Sequence, residues 1–99
     1  MNISAGDFAR SKSGHDSGRI YVVVKVEEEV VYLCDGRLRC IDKPKKKNIK
    51  HIQVIKKLPA EIRQCCYQNE KFYNEGIKKA IKDYKNKTMT GGIKCQNQM

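Results

Sequence analysis

Apolar side chains recur at two different periods along these 99 residues, and the change of period divides the chain. Residues 19–26 carry Ile20, Tyr21, Val22, Val23, Val24 and Val26, β-branched or aromatic types that suit a pleated surface and predict a strand. At period two, Ile20, Val22, Val24 and Val26 share one face, with Tyr21, Val23 and Lys25 on the other. Glu27-Glu28-Glu29 reads as a solvated turn, Val30 to Cys34 as a second strand, and Asp35-Gly36 as a hairpin signal. Beyond it Leu38 and Cys40 alternate with Arg37 and Arg39, which predicts a strand with the apolar pair inward and both guanidinium groups on one exterior face. Residues 42–48 read as a loop, because Pro44 and the repulsion among Lys43, Lys45, Lys46 and Lys47 disfavour regular structure. A last strand is predicted over 49–55, with Ile52 and Val54 inward. Ahead of these, residues 1–5 are expected to fray, 7–13 to be extended around Phe8, and the turn formers of 13–18 to break any element. Five short strands within about fifty residues predict a mainly β fold, a small five-stranded antiparallel barrel.

Leu58-Pro59 changes the rhythm. Pro59 suits the first turn of a helix, and Ala60, Ile62, Cys65 and Cys66 then follow at helical spacing. A second helical run places Tyr73, Ile77, Ala80, Ile81 and Tyr84 on one stripe, with Lys78, Lys79, Lys82 and Lys85 largely opposite. Asn74 is a candidate cap for this run, unless the two runs join near Asn69; Gly76 weighs against helix by about 1 kcal/mol. After Lys87 the chain is polar and reads as disordered. The expected organisation is therefore a barrel over 1–57, a helical extension over 58–87 and a disordered tail over 88–99. The stripe is expected to pack on the barrel, since an isolated helix of this length is marginal in water.

Charge changes the picture more than composition does. The net charge is +10, and it is focused: residues 37–57 hold nine basic side chains and one acidic, whereas residues 1–36 hold four basic and six acidic. Such focusing points to a polyanionic partner. The longest apolar stretch, Ile20 to Val24, is far too short to cross a bilayer. The first seven residues lack the basic and apolar regions of a secretory signal, so a cytoplasmic location and no membrane partner are expected. Five cysteines in odd number, with no C-x-x-C and no histidine at ligand spacing, read as reduced small hydrophobes, with no metal and no cofactor. No nucleophile has a base in motif form, and Gly14-x-x-x-Gly18 is too short for a phosphate loop, so a non-catalytic protein is expected.

Binding chemistry, by contrast, has candidates. Gly14 and Gly18 leave backbone amides uncovered for an anion or a base edge. Arg37 and Arg39 offer planar forks, and Lys45, Lys46, Lys47 and Lys50 add point charges. His15 and Tyr21 are candidates for stacking on unpaired bases. Each has a bland counterpart: a lysine run as a solvated face, His15 bonded to its turn, Tyr21 packed under the tail, and Arg37 and Arg39 as guards of an edge strand.

The segment Gly6-Asp7-Phe8-Ala9-Arg10-Ser11-Lys12-Ser13-Gly14-His15-Asp16-Ser17-Gly18-Arg19-Ile20-Tyr21-Val22-Val23-Val24 resembles a KOW motif, with Ser17 where that pattern would have a lysine. The continuation through Asp35-Gly36-Arg37-Leu38-Arg39 to Lys43-Pro44-Lys45-Lys46-Lys47 is similar to bacterial KOW-domain RNA-binding proteins. These are related to the fourteen-e family of the large ribosomal subunit. The resemblance covers about residues 5–55. It implies a Src-homology-three-like barrel that binds RNA, ribosomal RNA above all, as a monomer beside ribosomal proteins. The implied contact set is Lys12, Ser13, Gly14, His15, Arg19, Arg37, Arg39, Lys43, Lys45, Lys46, Lys47 and Lys50. The competing expectation is a protein-interaction module of the transcription or translation machinery, which would expose an aromatic groove rather than a basic one.

Overall fold

The valine-rich run forms the longest strand, and the rest of the chain is arranged around it. The structure, a computed structural model, describes residues 3–12, 14 and 17–89. In it β1 (Phe8–Ser11), β2 (Ile20–Glu27), β3 (Val30–Cys34), β4 (Lys45–Asn48) and β5 (Ile52–Ile55) form one antiparallel sheet in the order β4-β3-β2-β1-β5. A short helix α1 (Ala60–Gln64), a hairpin of β6 (Tyr67–Gln68) and β7 (Lys71–Phe72), and a long helix α2 (Asn74–Met89) complete it. The fold is thus mainly β with a C-terminal helix.

The topology forces the sheet to curl. β4 and β5 are its two edges, yet only a 3-10 turn, Ile49–His51, joins them. Across a flat sheet those edges would stand about 19 Å apart, and the connection reaches about 14 Å even when extended. The sheet therefore wraps around a cluster of Ala9, Tyr21, Val23, Val31, Leu33 and Ile52. Across the curl the Lys47 ammonium donates to the Ser11 hydroxyl at 2.8 Å. No ladder pairs β4 with β5, so the sheet remains open.

Both faces of the first half of β2, Ile20 to Val23, are buried. Its second face, through Ile20 and Val22, joins Phe8 and Cys34 in a cluster completed by Ile62, Cys66, Ile77, Ala80, Ile81 and Tyr84. Phe8 and Tyr84 meet edge to face with ring centres 5.8 Å apart. More than half of this core thus comes from residues after Leu58. The register shifts between Val23 and Lys25, where a bulge puts Val24 and Lys25 on one side. In consequence Val24 packs with Ile20 and Val22, whereas Val26 packs against the enclosed cluster with Tyr21 and Val23. A uniform period of two had placed Val26 on the other face.

Three further expectations are corrected. Residues 37–40 are not a strand: the Asp35 carboxylate accepts from the Arg37 and Arg39 amides, both at 2.9 Å, and so withdraws those donors from any ladder. Leu38 is consequently exposed rather than inward. The fourth strand is the lysine run itself, paired Leu33↔Lys45, Tyr32↔Lys46 and Val31↔Lys47. Repulsion does not prevent this, because successive side chains leave by opposite faces, and lysines suit an edge strand. The third correction concerns the ends of the strands. Residues 49–51 belong to the 3-10 turn rather than to the last strand, where Ile52 is buried and Val54 half-buried. Residues 3–7 are tied down, with Ile3 against the enclosed cluster and Gly6 N–H donating to the Val23 carbonyl at 2.8 Å.

In the C-terminal part the two helical runs do not join, because the hairpin separates them. Asn69 and Glu70 take φ of 54° and 65°, the pair of left-handed conformations that a two-residue turn matched to strand twist requires. Gly76 is explained by packing: a Cβ there would overlap the Cys65 carbonyl and the Tyr73 ring. α2 runs to Met89, past the expected boundary at Lys87, and the rest of the expected disordered tail lies outside the described residues.

Candidate nucleic-acid interface

The loop after β3 is held in place against α2. Gly36 has φ of +79°, and a Cβ on it would overlap the Asn74 carbonyl oxygen, so only glycine lets the backbones approach this closely. Farther along, the Ile41 amide donates to Asn74 Oδ1 at 2.8 Å. Between these anchors the Asp35 and Gly36 amides both donate to the Arg39 carbonyl, at 2.9 and 3.1 Å. The Arg37-Leu38-Arg39 tip is thereby shaped from within.

This loop, the start of β2 and one flank of α2 enclose an open groove of about 820 Å³. Ile20 and Ile81 lie along it, and Arg19, Arg37, Lys78, Lys82 and Lys85 supply five cations, with Asp35 the one carboxylate among the described lining residues. That carboxylate is already engaged by two amides. Lys78 also meets Glu75 at 3.3 Å, an exposed pair that contributes little. On the other flank of α2, Lys79 pairs with Asp83 at 2.9 Å, and that hydrogen bond raises its pKa.

The predicted contact set divides in space. Arg19 and Arg37 line the groove, and Arg39 is exposed on the same loop. Lys12 and Gly14 are exposed on the turn that leads into Arg19, while Ser13 and His15 lie outside the described residues. Lys43 is exposed after the loop. In β4, Lys46 stands opposite Tyr32 on the outer side, whereas Lys45 and Lys47 are half-buried on the side of Leu33 and Val31. Lys50 is exposed on the 3-10 turn, its amide donating to Asn48 Oδ1. Tyr21 is 2% exposed in the enclosed core and presents no ring for a base to stack on.

Sequence reasoning missed Lys78, Lys82 and Lys85. The signal was present: each directly follows a buried residue, Ile77, Ile81 or Tyr84, and so flanks the packed stripe instead of opposing it.

A second hollow, of about 520 Å³, is of different character. Val24, Tyr32, Ile41, Pro44, Tyr67 and Phe72 line it, with Lys25, Glu70 and Lys71 at its edge. Tyr67 and Phe72 stack at 4.5 Å, and the Lys25 ammonium lies 5.5 Å from the Tyr32 ring centre. The Tyr32 hydroxyl donates to Glu27 at 2.8 Å, which lowers the Glu27 pKa and raises that of Tyr32.

Other chemistry is sparse. Burial pushes the Cys34 and Cys66 thiols up to about 12, leaving them neutral and poor nucleophiles. Among the described residues no group of three or more metal-ligating side chains gathers, and no helix is long and apolar enough to cross a membrane. No protein-family model matches the sequence, and comparison with curated proteins finds no match.

Proposed function

We propose that this protein binds RNA without catalysing a reaction, using the basic groove between the Arg37 loop and α2 as its principal contact. The observation that carries the reading is the convergence of Arg19, Arg37, Lys78, Lys82 and Lys85, from three separate segments, on one groove in which Asp35, engaged by backbone amides, is the one carboxylate among the described lining residues. Cations brought together from distant positions, Arg19, Arg37 and Lys82 above all, repel one another, an arrangement that a polyanion relieves. The curled five-stranded sheet and the KOW resemblance support the finer reading, a small Src-homology-three-like barrel associated with ribosomal RNA in the cytoplasm. The groove draws its cations from three separate segments, which suits a folded RNA backbone better than a small anion.

The test is RNA affinity against salt. With about four to six phosphates engaged, the logarithm of affinity is expected to fall against the logarithm of salt with a slope of roughly −3 to −5. Replacing Lys78, Lys82 and Lys85 together by alanine is expected to flatten that slope by about 2 to 3. The triple alanine variant of Lys45, Lys46 and Lys47 is expected to flatten it less, since Lys47 reaches across the curl to Ser11. Affinity indifferent to salt, or a groove variant equal to wild type, would overturn the reading. That outcome would favour a peptide-docking module, for which the aromatic hollow of Tyr32, Tyr67 and Phe72 is the supporting observation.

A further inference from the structure

Among the described residues one large apolar side chain is left in solvent, Leu38, which is 75% exposed. A lone exposed leucine is ordinary on a protein surface. Its setting is not ordinary. It stands at the tip of a loop fixed by four hydrogen bonds, two into the Asp35 carboxylate and two into the Arg39 carbonyl, with Gly36 seated on the α2 backbone. Arg37 and Arg39 flank it directly, and it lines the basic groove. A site made only to follow a phosphate backbone has no use for an apolar tip, which would displace water from phosphates and offer nothing in return. Apolar side chains set among cations do have a use where bases are unstacked: they fill the gap between adjacent bases while the cations hold the flanking phosphates. A rigid loop suits that role, because little conformational entropy remains to be lost on insertion.

We infer that Leu38 is a wedge that enters an unstacked step, so that the groove selects RNA interrupted by a bulge or junction over continuous duplex. The inference rests on the RNA-binding reading above. In an A-form helix the deep major groove is closed to side chains and the bases are stacked, so the wedge finds its place only where pairing is interrupted.

The experiment compares wild type with Leu38→Ala and Leu38→Ser on two RNAs of equal length, one fully paired and one with a single bulged adenine. A 2-aminopurine beside the bulge reports unstacking, and melting curves report folding. Wild type is expected to prefer the bulged RNA and to raise the 2-aminopurine fluorescence. Both variants are expected to lose roughly tenfold in affinity for the bulged RNA, the scale of leaving about two methylene groups unburied. Affinity for the duplex should stay unchanged, as should the salt slope on both RNAs, since no charge is altered. Because the side chain is exposed, melting temperatures should match wild type. Steep salt dependence with no preference between the RNAs, or variants equal to wild type on the bulged RNA, would sink the wedge and leave the RNA-binding reading standing. Wild type that binds neither RNA would sink both.

Discussion

At the scale of single residues, space decides more than propensity does. Gly76 lies inside α2, where alanine would by intrinsic preference add about 1 kcal/mol of stability. The Cys65 carbonyl and the Tyr73 ring occupy the volume that a Cβ needs, so Gly76→Ala is expected to lower stability by a net ~1–2 kcal/mol in urea unfolding. A gain would show that α2 stands off from the Cys65 turn. The thiols make a second expectation. Cys34 and Cys66 have folded pKa values raised to about 12 by burial, well above the ordinary thiol range. The native state therefore keeps protons that the unfolded chain releases, and stability is fully present below about pH 9 and declines as pH rises toward 12. At neutral pH an alkylating reagent should modify half-exposed Cys40 and Cys65 in the native protein, and Cys34 and Cys66 only after unfolding. Mass spectrometry of the labelled peptides checks this, and rapid native labelling of Cys34 would contradict the packing.

At the scale of elements, two of the connections differ in how well their residues suit them. The β6–β7 turn requires two left-handed residues and has Asn69 and Glu70 there. Asparagine tolerates that conformation, whereas glutamate adopts it at a cost of about 1 kcal/mol or more. Glu70→Gly converts the turn to Asn-Gly, and the relief outweighs the added freedom of glycine in the unfolded chain. A net gain of about 0.5 kcal/mol is expected in urea unfolding; a loss would mean that the glutamate side chain is engaged by the Lys71 side of the hollow. The loop after β3 shows the opposite case, in which Asp35 overrides an alternating pattern. One carboxylate removes two amides from pairing, and the strand that β3 needs is recruited from residues 45–48 instead.

For the whole molecule, the sheet and α2 are not separable in packing. Ile77, Ala80, Ile81 and Tyr84 share a cluster with Phe8, Ile20, Val22 and Cys34. Deleting residues 73–99 would strip Ile77, Ala80, Ile81 and Tyr84 from one face of β2 and is expected to abolish cooperative unfolding, measured by circular dichroism with dye binding as a report of exposed apolar surface. A truncated chain that melts as wild type does would show that the curled sheet suffices alone. The same packing builds the groove, because one of its walls is α2; loss of the helix removes the site together with the helix's share of the outer core.

Much of this was legible along the chain. The apolar alternation of β2 and β3, the terminal helix stripe and the focused positive charge follow from side-chain type and spacing, which are local properties of a strand or helix. Three things were not. The bulge after Val23 moves Val26 to the other face, and nothing local to that run distinguishes it from a regular strand. The choice of residues 45–48 over 37–40 as fourth strand depends on hydrogen bonds from Asp35 and on pairing with Val31 and Leu33. The groove itself joins residue 19, the loop at 37 and the helix at 78–85. Sequence alone therefore determined which segments carry apolar faces and where charge accumulates, since these depend on neighbours a few residues apart. Tertiary structure decided which amides pair, which face a residue takes and which cations meet, because each of those is fixed by partners far away in the chain and close in space.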